Sequence, residues 1–329
     1  MASGHATAAT TALYPAERLR LAADATGAAG LGALLLTPGP DLRYVTGYDA
    51  HQLERLTCLA LPADGDPFLV VPRLELPAAQ ASPAGAFSLE MIPWDETDDP
   101  YELVARRLGP VSSVGLSDRM WAMMVLRFRA ALPAARQGLA SAALRDLRSR
   151  KSPAEVAALG EAGAAIDRVH AALPGWLRPG RTELEVAADV AAAISDEGHA
   201  RTDFVIIASG PNAASPHHEP SGRVLRAGDA VVVDIGGTMP SGYCSDCTRV
   251  YAVGSPPAEF TAYYEVLRDA QEAACAAVRP GVTAETVDAA VRRPSATRPV
   301  QRYRIKTPQQ SSIFTTFLRG TRHPSAASL

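Results

Sequence analysis

Nowhere in the 329 residues does an apolar run approach the roughly 18 residues that a membrane-spanning helix needs. The first residues, Met1 to Thr11, lack a basic stretch followed by an apolar one, so no targeting signal is read there and residues 1–14 are expected to form a disordered start. Cysteine is scarce. Cys58, Cys244, Cys247 and Cys275 are four in the whole chain and irregularly spaced, which argues against a disulfide framework and for a reducing, cytoplasmic setting. Charge of one sign is also lacking. A net charge of -3 argues against a general nucleic-acid or membrane-surface binder. One absence is local: no Asp or Glu occurs after Asp288.

What is present is an ordinary globular composition, 47% hydrophobic, on a chain long enough for about two domains. Residues 15–150 alternate helical and strand patterns, as an α/β domain does. Ala16 to Gly30 is helical in period, Ala33 to Leu36 a short apolar strand, and Trp121 to Leu132 helical again. Cys58–Leu61 and Pro67–Val71 read as a hairpin about Asp64-Gly65-Asp66, and Val114–Leu116 as a further strand.

The charged, Pro-bearing stretch Arg148 to Pro153 marks a linker, and 151–291 a second domain. Ser152, Pro153 and Glu155 have the spacing of a capping box before a helix. An internal repeat follows. Arg178-Pro179-Gly180-Arg181-Thr182 and, about 100 residues on, Arg279-Pro280-Gly281-Val282-Thr283 each follow an Ala-rich helix and open another one. Either a half-domain is duplicated, or Pro-Gly-x-Thr is used twice as a helix start. Strands are expected at Asp203–Ala208, Ala230–Ile235 and Tyr243–Val253 after the first copy. After the second, from about Arg292, Arg, Pro, Ser, Thr and Gln take over. Residues 292–329 are read as an aberrant basic tail, out-of-frame in origin or disordered.

Asp234 closes the strand Val231 to Ile235 before Gly236-Gly237, and Asp246 lies in the next strand. Strand alternation allows an antiparallel pair to present both carboxylates on one side. A carboxylate in so apolar a strand is costly unless paired or metal-bound, and hard oxygen ligands suit Mg, Mn, Co or Zn. The alternative is two aspartates capping turns. Cys244 and Cys247 form a C-x-x-C, but a spacing of three on a strand sends the thiols to opposite faces, against a zinc or redox role. Pro216-His217-His218-Glu219-Pro220 follows the loop-like Ala208-Ser209-Gly210-Pro211-Asn212. A histidine here can stabilise developing charge or move a proton, or simply sit in a solvated loop. His5, His51, His170, His199 and His323 have no ligand-like neighbours.

Taken together, Ala208–Asn212 with Pro216-His217, then Gly228-Asp229, then Val233-Asp234-Ile235-Gly236-Gly237, then Tyr243-Cys244-Ser245-Asp246 with Thr248-Arg249, resemble the catalytic half of Xaa-Pro aminopeptidases and prolidases over about residues 150–290. Leu42-Arg43-Tyr44-Val45-Thr46-Gly47-Tyr48 is similar to the creatinase-type N-terminal domain. The resemblance implies an α/β (α+β) chain, a creatinase-like domain followed by an incomplete pita-bread catalytic domain. It also implies two divalent metal ions (Mn, Co or Zn) held by two Asp, one His and two Glu. By position Asp234 and Asp246 resemble the two Asp, His217 the histidine near the substrate carbonyl, and His218 a substrate-binding neighbour. The His-x-x-Gly-His-x-x-Gly segment and the later glutamates of the family are absent from this sequence.

The implied activity is metal-dependent cleavage of Xaa-Pro bonds in proline-containing peptides, by a cytoplasmic homodimer. With three of five ligands absent, this chain is expected to be inactive, its C-terminal part truncated or frameshifted. Two other classes stay open: a metal-free creatinase-like C–N hydrolase working through His217, which has no need of both aspartates, and a non-catalytic binding module. Neither nucleic acid nor a membrane is expected as partner.

Overall fold

A computed structural model of the chain describes residues 12–297, with side chains described as far as Arg292. The expectations for residues 1–11 and 298–329, with His5 and His323, fall outside the described residues. The chain divides into two compact units between Val156 and Ala157. Among the described residues no helix is long and apolar enough to cross a membrane.

In the first unit, short apolar runs become strands. β1 (Ala33–Leu36), β2 (Cys58–Pro62), β3 (Phe68–Pro72), β4 (Glu90–Trp94), β5 (Ser113–Leu116) and β6 (Arg136–Leu139) form one mixed sheet in the order β4-β3-β2-β1-β5-β6. Six helices join them: α1 (Glu17–Ala28), α2 (Pro40–Thr46), α3 (Leu76–Ala81), α4 (Pro100–Leu108), α5 (Ala122–Ala131) and α6 (Ser141–Ser149). Strand alternation sends Leu34, Leu36, Leu59, Leu61, Leu69 and Val71 into one core with residues of α1, α2, α3 and α6. Leu35, Cys58, Ala60, Phe68, Val70 and Val114 enter a second core with Tyr101 and Val104 of α4 and Met124 and Phe128 of α5. Helices on both faces explain why these strands read as continuous apolar runs rather than alternating ones.

The β2–β3 hairpin has Leu59 opposite Leu69. β4 and β6 escape the sequence pattern because β4 carries an exposed Glu90 and a Pro93, and β6 is a largely exposed edge strand. A correction concerns the start. Leu13 and Tyr14, grouped by sequence with a disordered N-terminus, are 5% and 4% exposed, and the Arg18 guanidinium lies 5.8 Å from the Tyr14 ring centroid.

In the second unit α7 (Pro153–Ala172) and α8 (Glu183–Asp196) lead into an antiparallel sheet of β7 (Arg201–Ser209), β8 (Ala230–Thr238) and β9 (Cys244–Ala252). Both helices begin with a capping box. Ser152 N–H donates to Glu155 Oε2 at 2.8 Å and Glu155 N–H to Ser152 Oγ at 3.3 Å. Thr182 and Glu185 do the same at 2.7 and 3.2 Å. Ile166 and Val169 of α7 and Val186, Val190 and Ile194 of α8 pack on Ile207, Val231, Val233, Ile235 and Cys247, so the helices cover one face of the sheet.

α9 (Ala258–Ala277) and α10 (Ala284–Thr297) restate the first helix pair, with 20 and 14 residues in each copy. The joints correspond at a constant spacing of 101 residues. Gly180 and Gly281 take φ of 92° and 86°, and Thr182 and Thr283 each accept from the N–H three residues on, at 3.2 and 3.3 Å. α10 continues through Arg292, where the sequence changes character, to Thr297.

Candidate active site

β8 is inserted between β7 and β9, and its register fixes the site. Asp234 stands opposite Ile206 on one side and Thr248 on the other. One step along the same face, Gly236 stands opposite Phe204 and Asp246. Directly opposed residues of an antiparallel ladder share a face, and so do residues two apart on one strand. Asp234 and Asp246 therefore project from the same face, the one that α7 and α8 do not cover. The intervening residues Val233, Ile235, Ser245 and Cys247 are buried on the helix side. Both aspartates lie inside strands, which excludes the reading of them as turn caps.

The Gly-Gly that reads in sequence as the end of β8 is instead part of it, since the strand runs to Thr238. Close approach explains the glycines. A Cβ on Gly236 would come within 2.5 Å of the Ser245 carbonyl oxygen and 2.7 Å of the Phe204 ring. A Cβ on Gly237, facing the other way, would come within 2.7 Å of the Arg201 carbonyl oxygen and 2.8 Å of the His199 ring. The hairpin turn follows at Pro240 to Gly242, with Gly242 at φ 83°.

Asp234 is half-buried and Asp246 exposed. Thr248 Oγ1 donates to Asp234 Oδ1 at 2.7 Å, which fixes one carboxylate oxygen. Hard carboxylate oxygens on one open face suit a divalent cation in kind. In number they supply two ligands, and among the described residues no three His, Cys, Asp or Glu side chains gather as a metal-binding group.

The C-x-x-C splits across the strand. Cys247 is buried, its thiol pushed up to about 11 by burial, and Cys244 is exposed. His170 and His199 are structural. The His170 ring bridges Tyr251 Oη and the Cys247 carbonyl oxygen, both at 3.0 Å. His199 bridges the Ile194 carbonyl oxygen at 3.1 Å and Ser245 Oγ at 2.8 Å.

His217 and His218 lie beyond a 3-10 turn, Gly210–Ala214, that leaves the end of β7. His217 is exposed and makes no side-chain hydrogen bond among the described residues. His218 is held: its Nε2 lies 2.8 Å from Glu183 Oε2. Glu183 is the residue that the sequence pattern does not single out. It is the first residue of α8 and is 0% exposed. Its carboxylate takes hydrogen bonds from the backbone and hydroxyl of Ser209 (2.8 and 2.6 Å), from Asn212 Nδ2 (3.1 and 3.2 Å), from His218, and from the backbone and hydroxyl of Ser221 (3.1 and 2.7 Å). Burial alone would raise its pKa, but hydrogen bonds from Ser209, His218 and Ser221 outweigh burial and hold it down at about 2. The acid is therefore ionised at neutral pH. Beside it Arg223 forms a two-pronged ion pair with Asp229, at 2.7 and 2.9 Å.

Residues 157–311 match the model of Metallopeptidase family M24, and residues 18–150 that of the Creatinase/Prolidase N-terminal domain. The chain is 52% identical over 279 residues to the Probable dipeptidase PepE of Mycobacterium bovis, covering 84% of this chain and 74% of that protein. It is 31% identical over 262 residues to the Xaa-Pro dipeptidase of Lactobacillus helveticus, covering 76% and 69%. The crystal structure of dipeptidase PepE from Mycobacterium ulcerans aligns with a TM-score of 0.84 at 50% identity, over 90% of this chain and 79% of that one.

Proposed function

The chain belongs to metallopeptidase family M24, with a creatinase/prolidase-type domain ahead of the catalytic one, and we propose that its site is built for metal-dependent cleavage of Xaa-Pro dipeptides. The observation that carries this reading is the β8–β9 register, which sets Asp234 and Asp246 on one face of the sheet. Their carboxylate oxygens would hold divalent metal (Mn, Co or Zn). Bound metal supplies Lewis-acid polarisation of the scissile carbonyl and activation of a water. His217, exposed and without a hydrogen-bond partner among the described residues, is the group to donate a hydrogen bond to the carbonyl oxygen as negative charge develops there. His218 contacts the substrate from the same loop.

In these 329 residues the acid ligands run out. No Asp or Glu follows Asp288, and the family's His-x-x-Gly-His-x-x-Gly segment has no counterpart. Affinity for metal depends on ligand number and preorganisation, so two carboxylates give weak binding and a chain without appreciable turnover. We also assign it to the cytoplasm, on its few cysteines, and expect a homodimer from its kinship.

The test is glycyl-proline hydrolysis by the purified chain with Mn2+, Co2+ or Zn2+, alongside calorimetric metal titration of wild type, D234N and D246N. Weak metal binding that both substitutions abolish, without cleavage, is the expected result. Turnover on the order of 1 per second or faster would overturn the incomplete-site part of the proposal. Metal binding indifferent to both aspartates would overturn the site assignment.

A further inference from the structure

Glu183 does nothing in the chemistry above, yet it is the most heavily bonded carboxylate described. Its donors come from three places: Ser209 at the end of β7, Asn212 and His218 within the loop, and Ser221 where the loop returns. A carboxylate is acceptor-only, with about four lone-pair sites on two oxygens, so one buried point can collect both ends and the middle of a segment. The Ser209 exit is fixed further by Arg223, whose guanidinium donates to Ser209 Oγ. Gly210, at φ 51°, lies against the Arg223–Asp229 pair: a Cβ would come within 2.5 Å of the Arg223 guanidinium and 2.8 Å of the Asp229 carboxylate and would have to displace them.

The same contact sets the chemistry of a ring. The carboxylate can only accept, so His218 Nε2 carries the proton. In the neutral imidazole Nδ1 is then the acceptor, able to take an N–H from a bound peptide. An isosteric amide at position 183 would accept less strongly and would set its own N–H groups against these donors.

We propose that Glu183 is the positioning residue of the site: it pins the loop that carries His217 and fixes His218 as the Nε2-protonated tautomer, so that Nδ1 accepts from the α-amino group of the dipeptide, whose Xaa-Pro amide nitrogen carries no hydrogen. This rests on the peptidase reading for the ligand, but the pinning does not.

The experiment compares full-length wild type, E183Q and S221A. Imidazole proton–nitrogen NMR reads the tautomer, and hydrogen exchange with mass spectrometry reads the backbone of residues 210–221. In wild type, read at a pH where the ring is neutral, His218 is expected to show a protonated Nε2 and an unprotonated Nδ1. In E183Q that single tautomer is lost, and exchange across 210–221 rises at least about tenfold while β7, β8 and β9 keep their protection. S221A removes one donor to the oxygen that holds His218. It gives the same change in smaller measure, and decides the matter if E183Q does not fold. Glycyl-proline affinity with Zn2+ present, read from the ring shifts of His217 and His218, falls roughly tenfold in the variants.

An unchanged tautomer and unchanged loop exchange in the variants would overturn the proposal. So would protection lost evenly over β7, β8 and β9, since that is the mark of a merely structural charge. The tautomer and exchange readings need neither metal nor turnover. If wild type shows them as expected but binds no dipeptide, the peptidase reading fails and the pinning stands.

Discussion

Thr248 and Asp234 face each other across the β8–β9 ladder, and the threonine hydroxyl donates to one aspartate oxygen at 2.7 Å. A carboxylate held at one oxygen is oriented before any ligand arrives, with its second oxygen outside that bond. T248V is expected to lower stability by about 1 kcal/mol and to weaken metal binding, while T248S preserves both. Urea unfolding with metal titration checks this, and equal behaviour of the two variants would show that the hydroxyl contributes nothing.

Acid should lower the stability of the fold over two separable ranges of pH. His170 is buried, and burial, against the opposing hydrogen bond its ring makes to the Cys247 carbonyl, holds its pKa down from 6.5 to about 4. Between those values the unfolded chain takes up a proton that the folded chain does not. This contribution is complete above pH 6.5 and is lost as pH falls through 4, to an extent of roughly 3 kcal/mol.

Glu183 acts lower on the scale. Its folded pKa of about 2 lies below the ordinary 4.5, so its contribution is full above 4.5 and lost as pH falls towards 2, again by roughly 3 kcal/mol. Unfolding free energies measured between pH 7 and 2 should lose the upper slope in H170N and the lower slope in E183Q. A single slope untouched by either substitution would remove these two groups from the account.

Gly236 leaves the strand crossing no slack. G236A should destabilise by about 1–3 kcal/mol, because the added methyl meets a backbone carbonyl as well as a movable ring. Adding F204A relieves the ring contact and not the carbonyl one, so it should recover only part of the loss in thermal melts.

The four thiols should label in two classes. Cys244 and Cys275 are exposed, while Cys58 and Cys247 are buried, and burial pushes both buried thiols up in pKa. Iodoacetamide at pH 8 followed by peptide mass spectrometry should modify Cys244 and Cys275 in the native chain, and the other pair only after denaturation. Rapid native labelling of Cys247 would contradict the placement of β9.

Much of the chain from Ser152 onward is legible in sequence because its signals are local. Ser152 with Glu155 and Thr182 with Glu185 announce their helices within four residues, and strand alternation alone separates Cys244 from Cys247. Glu183 is illegible for the opposite reason. An acid just after an N-cap is what any helix dipole favours, and the donors that give this one its character lie 26 to 38 positions away in the chain. Gly236-Gly237 is misread as a strand end because sequence does not distinguish a glycine needed for a turn from one needed where a ring and a carbonyl press close. Neither His170 nor His199 resembles a ligand in sequence, and each proves to be a fully engaged core group.

The hairpin of α9 and α10 has a consequence for the order in which the chain acquires structure. Its core, Ala270 and Ala274 against Val287 and Val291, joins residues close in sequence, and its joint repeats that between α7 and α8 at a spacing of 101 residues. Contacts so local are made early, because little loop entropy is lost in closing them. The hairpin should therefore form during synthesis independently of β7, β8 and β9, whose two ladders also join neighbours in sequence. Pulse-labelling hydrogen exchange on refolding chains would then find two protected islands arising in parallel, where a single late-forming nucleus would protect both at once.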